Sequence, residues 1–74
     1  MFKIGDKVRV SEYNDNDNYD EFRDKTLIIT SIYTNSNEHM GYDESMEGMA
    51  LYEFTTEEGK DVPYALYEYE IEEC

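Results

Sequence analysis

With 74 residues and a formal charge of −13, from 19 acids against 6 bases, the chain has room for one domain and carries a field that repels nucleic-acid phosphates and anionic lipid. A single cysteine, Cys74, and a single histidine, His39, exclude an internal disulfide and any cysteine-rich zinc site, and a lone thiol fits a reducing, cytoplasmic setting. No apolar run nears the roughly 20 residues that cross a bilayer, and residues 1–10 alternate rather than running apolar, so neither a membrane span nor a signal peptide is expected.

The first strand is expected at residues 7–11, where Val8 and Val10 alternate with Lys7, Arg9 and Ser11 and Gly5 lets the chain turn in. Residues 14–18, Asn-Asp-Asn-Asp-Asn, hold only short polar side chains that compete with strand hydrogen bonding. They read as a loop, which Tyr19 and Phe22 fold back over one end of the core. Residues 26–34 are β-branched and aromatic without Gly or Pro, and the triplet Leu27, Ile28 and Ile29 implies burial on more than one side, as in a central strand. Residues 35–48 break the pattern as a long loop, with Met40 and Met46 as candidate caps on the core.

Residues 49–55 form the next strand, and residues 56–60 a tight connection with Gly59 at the position needing φ > 0. Asp61 and Val62 open a short return strand that Pro63 stops, and residues 63–66 suit one 3₁₀ turn with Pro leading. In residues 67–72 the alternation is complete: Tyr67, Tyr69 and Ile71 face one way, Glu68, Glu70 and Glu72 the other, about 6.6 Å apart along the row. Five short strands without helical periodicity give an all-β fold in a single domain, residues 1–74. Eight tyrosines and three phenylalanines, clustered between turn signals, favour folding over acidic disorder.

Two segments carry a resemblance. Phe2-Lys3-Ile4-Gly5-Asp6-Lys7-Val8-Arg9-Val10 resembles the entry strand of bacterial SH3-like and KOW-like domains. Gly59-Lys60-Asp61-Val62-Pro63-Tyr64-Ala65-Leu66-Tyr67 is similar to the SH3 signature of a Gly turn, a short strand, a Pro-led 3₁₀ turn and a final strand. The resemblance implies a small five-stranded SH3-like barrel with a single 3₁₀ turn before the last strand, a fold that hosts many unrelated roles. For SH3 domains it also implies proline-rich peptide binding; Pro63 and Leu66 match loosely, but the chain has no Trp and only Tyr19 to stand for the loop aromatics. KOW-like contact with RNA needs basic loops, whereas residues 38–74 hold 12 acids and only Lys60 as a base, so direct nucleic-acid binding is not expected.

Candidate chemistry is sparse. An EF-hand begun at Asp15 would put Asp20 where Gly is needed and Thr26 where Glu is needed, which leaves residues 14–24 at most a weak divalent-cation loop. No serine stands beside a base, His39 lies in a polar loop, and no carboxylate pair is singled out; neither catalysis nor a cofactor is expected. The feature that invites a function is the negative stripe of Glu68, Glu70 and Glu72 with Glu73 and Glu53, which also reads as the charged face of an edge strand that deters aggregation. Eight tyrosines exceed what a small core holds with every hydroxyl satisfied, and Tyr13, Tyr42, Tyr64 and Tyr67 are the expected exposed ones. The sequence thus points to a noncatalytic module that binds a basic protein, such as a nucleic-acid-binding protein, as an inhibitor, adaptor or nucleic-acid mimic of the kind made by phages and mobile elements. A homodimer formed through a strand edge or barrel face is the alternative.

Overall fold

The computed structural model describes residues 1–13 and 17–74. The expected polar loop at residues 14–18 therefore lies partly outside the described residues. Five strands, β1 (Lys7–Val10), β2 (Leu27–Tyr33), β3 (Leu51–Thr56), β4 (Leu66–Tyr67) and β5 (Ile71–Glu73), form one antiparallel sheet in the order β4-β3-β2-β1-β5. Short 3₁₀ segments run at Asp17–Phe22, Glu44–Met46 and Glu68–Glu70, and no α-helix occurs among the described residues. None of the described residues forms a helix long and apolar enough to cross a membrane.

β2 and β3 make the longest ladder, and an irregularity lies in it between Ile29, opposite Phe54, and Ser31, opposite Glu53. The extra residue, Thr30, shifts the phase of alternation. Leu27 and Ile29 are buried before it, and Ile32 packs on the core after it, which no strict period of two would allow. Gly59 turns the chain out of β3 at φ 87°, as expected, and the return is a single bridge from Asp61 to Thr55 rather than a strand.

The last segment departs from the expected continuous strand. Leu66 and Ile71 both enter the core, yet they are an odd number of residues apart and would face opposite sides of an unbroken strand. The 3₁₀ turn at Glu68–Glu70 resets the phase between them. That places the turn after residues 63–66, where the sequence put it, and divides the segment between β4, paired with β3, and β5, paired with β1.

β4 and β5 are opposite edges of the sheet, although only three residues join them. A flat sheet of five strands would hold its edges about 19 Å apart. The link from Tyr67 to Ile71 reaches at most about 14 Å, so the sheet must curl. No pairing joins β4 to β5, and the result is a curled open sheet in place of the closed barrel expected. The two edge strands, of two and three residues, are too short to complete a ladder.

Inside the curl lie Val8, Val10, Leu27, Ile29, Tyr52, Phe54, Leu66 and Ile71, with Phe22 closing one end. Tyr19 packs beside Phe22 against this core, so the 3₁₀ segment at Asp17–Phe22 folds back as its two aromatics required.

Candidate functional site

Glu68, Glu70 and Glu72 do not form a row. Glu68 accepts a hydrogen bond from the buried Tyr52 hydroxyl at 3.0 Å. Glu70 accepts from the Tyr67 backbone N–H at 2.9 Å, fixing the start of the 3₁₀ turn, and its carboxylate adds to burial in pushing the Tyr19 titration up. Glu72 pairs with Arg9 at 3.3 Å and accepts from the Glu12 N–H at 3.1 Å. Glu73, exposed at the end of β5, stands opposite Val8. Glu53 lies apart, receiving the Tyr33 hydroxyl at 2.6 Å and lying 3.3 Å from His39 Nε2. The sequence pattern placed these carboxylates on one face, but the turn and their local bonds distribute them.

Aromatic side chains are what the fold assembles. Tyr42 meets Tyr67 edge-on with ring centroids 5.5 Å apart, and Tyr67 stacks on Tyr69 at 6.2 Å with the planes only 9° apart. Tyr19 meets Tyr64 at 4.7 Å, and Tyr64 meets Phe22 edge-on at 5.8 Å. Glu70 fixes the turn carrying Tyr67 and Tyr69, and its charge also acts on the Tyr19 hydroxyl of the other group.

Exposure differs from expectation in an informative way. Tyr13 is exposed as expected, but Tyr42 is buried, its hydroxyl shared between the Met46 and Met49 carbonyls at 2.5 and 2.6 Å. Tyr64 and Tyr67 are half-buried, and the Tyr67 hydroxyl accepts from the Asp43 N–H at 2.7 Å. Tyr69, expected to share a face with Tyr67 and Ile71, is 65% exposed because the turn carries it out. Tyr69 was illegible by alternation, whereas Tyr19 was legible by its spacing from Phe22.

Carboxylates surround this surface. Tyr64 has its titration pushed up by burial first and then by Glu21, with Asp20 adding to it and Arg23 opposing; Tyr19 is pushed up by burial and by Glu70. Burial and then Glu47 do the same to Tyr42. The Tyr64 hydroxyl is buried and finds no hydrogen-bond partner among the described residues.

Both ring nitrogens of His39 are engaged, Nδ1 accepting the Gly41 N–H at 2.9 Å and Nε2 facing Glu53. This geometry gives the ring a role in shaping the 34–48 loop, whose ends meet where the Gly48 N–H donates to the Thr34 carbonyl at 3.1 Å. Of the acidic loop considered as a cation site, residues 14–16 lie outside the described residues. Among the described residues no group of three or more ligating side chains is placed to hold a metal ion. Comparison with protein families, curated proteins and solved structures finds no match.

Proposed function

We propose that this chain is a noncatalytic protein-interaction module with an SH3-like curled sheet, and that its tyrosine surface receives an arginine- or lysine-bearing segment of a basic protein. The observation that carries the reading is Tyr69, a large aromatic left 65% exposed and stacked parallel on Tyr67, with Glu70 next to it in the same turn. An aromatic face attracts a guanidinium or ammonium, and nearby carboxylates strengthen the attraction. Rigid tyrosines supply contact area at little cost in side-chain entropy, which suits them to the centre of an interface. The charge of −13 steers such a partner in and turns nucleic acid away. An inhibitor or adaptor of a nucleic-acid-binding protein is the form of this function that the charge favours. Imitation of evenly spaced phosphates loses its support, because the 3₁₀ turn interrupts the carboxylate row. A final strand that follows a 3₁₀ turn and returns to pair with β1 supports the SH3-like reading.

The test is titration of the labelled protein with a hexa-arginine peptide, followed by NMR at low salt. Backbone signals of residues 67–70 should shift, Tyr69→Ala should weaken binding by about tenfold, and hexalysine should bind less tightly because a guanidinium stacks where an ammonium does not. Equal affinity of the native protein and Tyr69→Ala would reject the reading and move weight to self-association.

A further inference from the structure

Methionine is flexible and polarizable, and methionines gathered at a surface make an adaptable apolar seat. Met46 and Met49 flank the end of the 34–48 loop, and with Met1 they line an open depression of about 450 Å³. Met1 also borders a second depression of about 530 Å³, lined by Phe2, Lys3, Ile4 and Ile32, so the two adjoin at Met1. These volumes accept several side chains of a partner rather than a few waters. Met1 and Ile4 are largely exposed, 82% and 66%, and leave an uncovered apolar strip.

The rim carries charges of both signs. Glu47 and Glu68 line the methionine depression, while Lys3 stands in the other. Glu68 accepts the Tyr52 hydroxyl at 3.0 Å and pairs with the Met1 ammonium at 3.6 Å, whereas Glu47 is exposed on the rim. The groove also begins where the tyrosine surface ends, because the Tyr42 hydroxyl is bound to the Met46 and Met49 carbonyls and Glu68 follows Tyr67 directly.

We propose that this groove is a second contact surface of the module, and that it takes a basic amphipathic segment of the partner. The segment's apolar side fills the strip from Met49 to Ile4, and its lysines or arginines lie over Glu47, beside the Glu68–Met1 ion pair. The occupant's charge follows from complementarity: an acidic segment would be repelled by Glu47 and by a C-terminal half with 12 acids and one lysine, and a neutral one would gain nothing from them. The proposal extends the reading of the chain as a module for basic proteins and places part of the contact away from Tyr69.

The probe is a synthetic leucine–lysine peptide patterned as an amphipathic helix, added to protein carrying ¹³C-methyl methionine. Met40 is fully exposed and belongs to neither depression, which makes it an internal control. Methyl signals of Met1, Met46 and Met49 should shift while Met40 stays. Glu47→Lys should weaken binding by about tenfold, and a scrambled peptide should bind far less. Silence of all four methyls, or equal shifts of all four with patterned and scrambled peptides alike, would overturn the groove. Tyr69→Ala separates the two surfaces: it should weaken hexa-arginine binding by about tenfold and leave the methionine response unchanged. A silent groove with an intact Tyr69 response would overturn this inference alone, and the reverse would overturn only the tyrosine surface.

Discussion

The Tyr52 hydroxyl accepts the Phe2 N–H at 3.2 Å and donates to Glu68 at 3.0 Å, while its ring is wholly buried and meets Phe2 edge-on. Tyr52→Phe keeps the ring and removes both bonds, and the groups left behind can still reach water in part. A loss of about 1 kcal/mol is expected, against about 2–5 kcal/mol for Leu66→Ala, which opens a cavity where burial is complete. Urea unfolding of the two variants checks the order, and a larger loss from Tyr52→Phe would show that the polar network outweighs packing. Which tyrosines needed such partners was not legible in the sequence. Tyr42 stands in a segment without alternation and finds its partners nearby, at the Met46 and Met49 carbonyls, whereas Tyr52 looks like any other strand aromatic and is partnered by Phe2, distant in the chain.

Turns decide the elements. Gly59 sits at φ 87° with open space around the position of an added Cβ, so Gly59→Ala clashes with nothing and is strained by its backbone alone. The expected cost is about 1–2 kcal/mol, read as a lower urea midpoint with unchanged slope. A neutral substitution would mean that the turn relaxes out of the left-handed region. This turn was legible because glycine is the residue that tolerates positive φ. The turn at Glu68–Glu70 was not, since its sequence, Glu-Tyr-Glu, alternates as a strand does. Two long-range demands override that local pattern: Leu66 must reach the core beside β3, and Ile71 must reach it beside β1. The candidate site followed the same fate, with Tyr69 turned outward and the glutamates separated.

At the scale of the whole molecule, charge and tyrosine titration set the limits of stability. Tyr19, Tyr42, Tyr52 and Tyr64 are pushed up mainly by burial, and Tyr33 mainly by its hydrogen bond to Glu53. The fold favours the neutral phenol, so unfolded tyrosines lose their protons first as pH rises. The stability this linkage contributes is complete below about pH 10 and is lost as pH climbs through the folded values. Ionisation of Tyr19, Tyr42, Tyr52 and Tyr64, followed residue by residue by NMR, should therefore coincide with the loss of circular dichroism in alkaline unfolding, and ionisation of these four in a folded protein would contradict the linkage. Added salt should stabilise the chain, because screening relieves the repulsion of a −13 charge while the exposed ion pairs it weakens contribute little. A gain of about 1 kcal/mol raises the melting temperature of a domain this size by about 4–8 °C. A fall in melting temperature between low and moderate sodium chloride would show that the ion pairs dominate.

By itself the sequence determined the all-β class, the positions of β1, β2 and β3, the Gly59 turn and the acidic charge of the chain. Each of these follows from local rules: side-chain period, glycine's freedom at positive φ and the arithmetic of charge. Tertiary structure decided that residues 66–73 split between opposite edges of the sheet, that the sheet curls without closing, and that Tyr69 rather than Tyr42 reaches solvent. The physical reason is that core burial is a property of the whole chain. Leu66 and Ile71 could not both enter one core along an unbroken strand, and the turn that let them in rearranged every acidic and aromatic side chain around it.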